Sequence, residues 1–185
     1  MLNAVRDGSL SVDAAVVQLS DLRAARDDIA TVDLDRPRRT GQPEAIFGEG
    51  KTAADIVLIL ERLHAAHQDG LVTRVDAEKA AHIQAALSGC VWHERARILY
   101  LPSDQPQPKR DVRGKIAIVC AGTSDLPVAE EAAIVAELYG NPVERFWDVG
   151  VAGIHRLMVH MPALRDASSI IVVAGMEGAL ASVVA

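Results

Sequence analysis

The sequence predicts an α/β protein in two parts, a small N-terminal mixed α/β domain over 1–103 and a doubly wound parallel-sheet domain over 112–185. Three observations carry this. The second part repeats strand, glycine-bearing turn and helix three times in succession, the rhythm of a doubly wound sheet. Its first strand, Lys115 to Ala121, is a nearly unbroken apolar run, as suits a strand buried on both faces. Between the two parts, Pro102 to Gly114 is polar, proline-rich and without apolar period, which resists helix and sheet and marks a domain boundary.

Composition narrows the function classes without naming one. Half the residues are hydrophobic but only 3% are aromatic, so the core must be built from Ala, Val, Ile and Leu. A formal charge of −6 and a pI near 5.5 argue against nucleic acid or an anionic lipid surface as partner and favour small molecules. No apolar run reaches the roughly 20 residues that span a bilayer, and the N-terminus lacks the order of a signal peptide, so the expected location is cytoplasmic. In such a reducing compartment Cys90 and Cys120 are read as small buried hydrophobes without a disulfide.

In the first part, Ser11 caps a helix expected to run to about Arg26. Thr31 to Asp35 alternates as a short strand, Arg36 to Gly41 reads as a loop, and Glu44 to Phe47 as a second strand. Ala53 to Gln68 carries helical spacing through Ile56, Ile59, Leu60 and Leu63, with Gly70 as its stop signal. Leu71 to Val75 is the next expected strand, followed by a helix from the cap Asp76 to Leu87 and a strand over Arg95 to Leu101. In the second part, strands over 115–121, 142–148 and 169–174 alternate with helices over Asp125 to Tyr139 and from Ile154 to Pro162, and a last helix follows Gly178. Open sheets commonly hold about five or six strands, so with three the domain is expected to be unfinished.

Ligands of doubly wound sheets settle beyond the carboxyl ends of the strands, where helix N-termini present free N–H groups. Three motifs lie there. Ala121-Gly122-Thr123-Ser124-Asp125 joins a permissive glycine, two hydroxyls and a carboxylate at a helix start, suited to a phosphate or ribose; a plain helix cap is the competing reading. In Asp148-Val149-Gly150-Val151-Ala152-Gly153-Ile154-His155-Arg156, Asp148 can orient a ligand or metal, His155 can exchange protons and Arg156 can pair with phosphate, although a cap and a surface pair explain them nearly as well. In Gly175-Met176-Glu177-Gly178, the glutamate at the head of a buried helix is expected to be partly desolvated, which fits a general acid or base as well as an ordinary first-turn acid.

Elsewhere the signals are weaker. Gly48-Glu49-Gly50-Lys51-Thr52 has the end of a phosphate-binding loop but not its full spacing, and reads as a tight turn. Arg36, Arg38 and Arg39 read as a local anion contact or subunit interface. His64 and His67 stand i,i+3 on one helix, a solvated face before a metal site, and no zinc pattern or serine-hydrolase elbow is present.

Taken in order, Ala121 to Ala132, Asp148 to Arg156 and Val172 to Leu180, with Asp33 to Thr52 in the first part, resemble the LarB family. The resemblance implies a catalytic domain similar to that of aminoimidazole ribonucleotide carboxylases, in which Ser124 and Asp125 match the nucleotide-binding pair. It implies carboxylation of nicotinic acid adenine dinucleotide by carbon dioxide or bicarbonate. The phosphoanhydride is then hydrolysed, with magnesium at the phosphates, to give pyridinium-3,5-biscarboxylic acid mononucleotide and AMP for a nickel-pincer cofactor. On this reading Glu177 and His155 are catalytic candidates, and Thr123, Ser124, Asp125, Asp148, Arg156 and Gly175 bind substrate, in a protein that is a homo-oligomer when complete. Two departures qualify it. Ala179 stands where the purine enzymes carry a histidine, which disfavours their carboxylase or mutase reaction. The family's activating cysteine lies in the C-terminal part of the domain, which this sequence is read as ending before, and Cys120 does not match it, so this chain is expected to be inactive or nearly so, and a non-catalytic nucleotide-binding or assembly fragment is the rival reading.

Overall fold

The computed structural model describes residues 2–22, 24–26, 31–105, 112 and 114–185. After a short helix α1 (Leu2–Arg6), α2 (Val12–Leu22) begins where Ser11 Oγ accepts the Ala14 N–H at 3.1 Å, the cap read from the sequence. The helix stops four residues before the expected Arg26. Ala24–Arg26 is instead strand β1, paired antiparallel with β2 (Thr31–Asp33), because a strand read from alternation needs a ladder partner and the preceding chain supplies it.

The expected loop over Arg36 to Gly41 is also corrected, to helix α3 (Arg36–Thr40). Pro37 sits in its first turn, where no N–H is missed. Gly41, at φ 72°, closes it by donating its N–H to Pro37 O at 2.9 Å. Proline and glycine here mark the two ends of a helix rather than the absence of one.

Strand β3 (Ala45–Phe47) leads to α4 (Ala53–Ala65), opened by a capping box in which Thr52 Oγ1 accepts the Asp55 N–H at 3.1 Å and Asp55 Oδ2 accepts the Thr52 N–H at 3.2 Å. Ile56, Ile59, Leu60 and Leu63 are its buried stripe, as their spacing predicts. Gly70 is not the helix stop. The left-handed residue after α4 is His67, at φ 57°, and Gly70 opens strand β4 (Gly70–Thr73), buried in its first three residues. Its lack of a side chain is required by packing, since a Cβ there would stand 2.3 Å from Leu60 Cδ2.

Helix α5 (Ala77–Ala86), strand β5 (Val91–His93), which the sequence reading missed, and strand β6 (Ile98–Leu101) follow. Strands β3 to β6 form one sheet in the order β3-β4-β6-β5. Most of the proline-rich stretch read as a linker, 106–111 and 113, lies outside the described residues.

The last part is α/β with a parallel sheet, the predicted class. Strand β7 (Ile116–Cys120), helix α6 (Leu126–Leu138) entered through a 3-10 turn at Thr123–Asp125, and strand β8 (Val143–Phe146) come first. The single helix expected from Ile154 is two, α7 (Ile154–Met158) and α8 (Met161–Arg165), because Pro162 seats in the first turn of a new helix and the older one ends before it. Strand β9 (Ser169–Val173) and helix α9 (Ala179–Val184) complete it. The sheet order is β8-β7-β9, every pair parallel.

Alternation along β7 builds a core on each face. Ala117 and Val119 pack with Phe146, Val149, Leu157, Leu164 and Leu180, while Ile118 and Cys120 pack with Ala129 and Ala133 of α6. A continuous apolar strand is the consequence of having both faces covered.

By compactness the chain divides into one unit of 1–72, 78–91 and 100–105 and another of 73–77, 92–99 and the described part of 106–185. Among the described residues no helix is long and apolar enough to cross a membrane.

The Gly70 packing gives a first test. Gly70→Ala must displace the fully buried Leu60 or shift the strand, and is expected to cost about 1–3 kcal/mol, read as a lower urea midpoint at unchanged slope.

Candidate functional site

The three turns singled out by sequence come together at the carboxyl edge of the β8-β7-β9 sheet. Backbone bonds that outlast the strands hold them. Ala121 N–H donates to Val173 O at 3.0 Å, Val149 N–H to Cys120 O at 3.0 Å and Gly150 N–H to Ala121 O at 2.9 Å. The end of the central strand is thus tied to both neighbours.

Gly150 was absent from the sequence-derived site and proves structurally necessary to it. A Cβ there would lie 2.8 Å from Ala121 O, a backbone atom that cannot step aside. The signal was its position just after a strand end, where chains must approach closely.

Asp125 organises the first turn. Its Oδ2 accepts the Gly122 N–H at 3.0 Å, and the Asp125 N–H donates to Gly122 O at 3.0 Å, so the carboxylate does serve as a cap. Its other oxygen, Oδ1, would stand 3.1 Å from a Cβ on Gly175, which brings the third turn against the first and explains why glycine suits that position. Thr123 and Ser124 lie exposed beside it, at the entrance to α6.

In the second turn Asp148 holds a left-handed backbone, φ 57°, and its Oδ2 pairs with Arg156 Nη1. Gly153 permits this, since a Cβ on it would approach Arg156 Nε to 2.7 Å. His155 is exposed at the start of α7. In the third turn Glu177 and Gly178 are both left-handed, φ 57° and 64°, and Met176 is 91% exposed. Glu177 precedes α9 and is exposed, so the desolvation expected of a helix-head glutamate is not found; the double left-handed turn carries it outside the helix.

Cys120, at the end of β7, is fully buried and its thiol donates to Gly122 O at 3.2 Å. Burial pushes the thiol above its ordinary range, and the carboxylates of Asp125 and Asp148 push it further. It is a structural residue.

The weaker signals resolve into structure. Lys79 Nζ donates to Gly48 O at 3.1 Å and Glu49 O at 3.0 Å, so the glycine-lysine turn is gripped through its carbonyls. Arg39 pairs with Asp33. His67 Nδ1 meets Asp104 Oδ1 at 2.8 Å, and among the described residues no three His, Cys, Asp or Glu side chains gather as a metal site.

Comparison with known proteins bears on the family. Residues 24–103 match the family described as the LarB/PurE-like N-terminal domain. An uncharacterized protein of Methanocaldococcus jannaschii is 35% identical over 196 residues, an alignment spanning 100% of this chain and 75% of that relative. The chain belongs to the LarB family. LarB membership makes it a relative of carboxylase- and mutase-type proteins, and the mixed α/β architecture with a parallel sheet is that of the PurE-like fold.

Two outcomes follow for this LarB-family site. Gly150→Ala is expected to destabilise the second unit by about 1–3 kcal/mol, whereas Gly140→Ala, with no atom within 4 Å of its Cβ, meets only the strain of φ 83°. Denaturant midpoints of the two variants check the difference. Cys120 should resist iodoacetamide in the native state through neutral pH, because its thiolate forms only above the ordinary thiol range; mass-spectrometric labelling of Cys120 as fast as of an unfolded control would contradict its burial.

Proposed function

We propose that the carboxyl edge of the β8-β7-β9 sheet is the nucleotide-holding half of a site for nicotinic acid adenine dinucleotide, used in carboxylation of the pyridinium ring and release of AMP. The single observation carrying this reading is the convergence of the three turns at the edge where parallel sheets take ligands, the second tied through Cys120 O and Ala121 O and the third brought against Asp125 at Gly175.

The residues divide the work by chemistry. The Thr123 and Ser124 hydroxyls suit a phosphate, and Asp125 Oδ1, the oxygen not bonded to Gly122, suits ribose hydroxyls. Arg156 can exchange its partner Asp148 for a phosphate oxygen. Gly175 lets the ligand and the third turn approach Asp125. In the overall reaction a ring carbon exchanges a proton for carboxylate derived from carbon dioxide or bicarbonate, and water cleaves the phosphoanhydride. This reading assigns those proton transfers to Glu177 and His155, both exposed.

Magnesium fits this edge only as a cation arriving with the phosphates. The described side chains form no three-ligand cage, but one or two carboxylates with waters and phosphate oxygens are a common magnesium set, and Asp125 and Asp148 are the carboxylates in place. When bound it would neutralise charge on the phosphoanhydride.

The activating thiolate that the family resemblance implies is not furnished by Cys120, which is buried and held protonated. Calorimetry and product analysis with nicotinic acid adenine dinucleotide, magnesium and bicarbonate therefore have a definite expected outcome. The dinucleotide binds saturably, Asp125→Asn weakens it about tenfold or more, and no ring-carboxylated product accumulates. Absence of saturable binding sinks the site; a carboxylated product shows that the chain supplies its own chemistry.

A further inference from the structure

We propose that Arg74 and Arg95 are positioning residues for the Gly122–Asp125 turn, acting through α6. The functional importance of that turn rests on the reading above; the mechanical coupling does not.

Helix α6 begins at the turn and packs on the sheet through the buried Ala129 and Ala133, with Leu126 at its start partly buried on the same core. Alanines allow close approach, but their single methyl groups make shallow ridges that hold a helix less firmly along its own axis and in roll. Further fixing must come from elsewhere. Polar ties provide it: Asp125 bonds Gly122 at the N-terminal end, and Glu137 makes paired bonds of 2.6 and 2.7 Å to Arg145 of β8 at the other. Between them, Glu130 and Glu131 are held from outside the sheet. Arg74 Nε lies 2.8 Å from Glu131 Oε2, and Arg95 Nη1 lies 3.6 Å from Glu130 Oε1.

Both arginines sit on a stiff backbone bracket belonging to the same compact unit as α6. Arg74 and Arg97 are left-handed, φ 56° and 53°, a conformation that non-glycine residues keep only where surroundings over-determine it. The surroundings do so here. Val75 N–H donates to Arg97 O at 2.9 Å, Arg97 Nε donates to Val75 O at 3.2 Å, and Val75 and Ala96 are buried. The bracket also walls an open cleft of about 580 Å³, lined by His93, Glu94, Arg95, Ala96, Glu130 and Ile134. Arg74–Glu131, shorter and with the less exposed arginine, is the stronger tie.

Ion pairs this exposed contribute little to global stability. What they fix is where α6 sits, and with it the amides and carboxylate at its start.

Hydrogen exchange on the full chain tests this without any ligand. In Arg74→Glu, which sets like charges against one another at Glu131, the amides of Gly122 and Asp125 should exchange about two- to five-fold faster, the range such a pair supports, while α4 amides at Ile59 and Leu60 keep their protection. The swap Arg74→Glu with Glu131→Arg should return them to the wild-type rate. Unchanged rates at Gly122 and Asp125, or a failure of the swap to restore them, overturns the proposal. Should Arg74→Glu not fold, the near-isosteric Glu131→Gln carries the same readout. Affinity for nicotinic acid adenine dinucleotide, measured on the same proteins, should fall by about the same factor. If the wild-type chain binds none, the proposed function fails while the exchange data still decide the coupling.

Discussion

Two carbonyl oxygens, those of Cys120 and Ala121, determine what the carboxyl edge of the second unit can be. In a parallel sheet the strands usually part company at this edge, and the loops diverge to begin their helices. Here the central strand goes on accepting bonds from the second turn and donating one to the third strand's last carbonyl. The turns are thereby fixed in the frame of the sheet, and their side chains inherit its rigidity. Gly150 is the counterpart of this constraint, since only a residue without Cβ can come so near Ala121 O.

The composition makes the constraint necessary. With aromatics at 3% of the chain, the second unit locks its layers mostly with aliphatic side chains, and the core beneath α6 is the sparser of its two. There Ile118, Cys120, Ala129 and Ala133 are buried, with Leu126, Trp147 and Val173 partly buried against them. Orientation falls to polar contacts at the margins, which explains why so many ties in this unit are arginine–glutamate pairs: Arg74–Glu131, Arg95–Glu130 and Arg145–Glu137. Each is weak alone, and each restricts a motion the alanine face leaves soft.

How much of this was legible in the sequence depends on the range of the interaction. The parallel strands were readable because burial on both faces writes a continuous apolar run, and α4 because its stripe and cap are local. The end of α2 was not, since the fate of Ala24–Arg26 depends on pairing with Thr31–Asp33. Proline and glycine misled in opposite senses. Around α3 they framed a helix that looked like a loop, and Gly70, read as a helix stop, is empty of side chain because Leu60 occupies the space. The site motifs were visible as strand-end turns, Gly150 and Gly153 among them, but what Gly150 makes room for, Ala121 O, and the arginine bracket act through contacts across the chain that leave no local pattern.

The Asp148–Arg156 pair shows why placement alone does not describe such a site. Two groups suited to a phosphorylated ligand neutralise one another across the second turn, partly exposed, with Gly153 making room for the guanidinium. A phosphate that took Arg156 would leave the Asp148 carboxylate to water, which its exposure permits, so the pair is a point on this edge where an exchange of partner costs little.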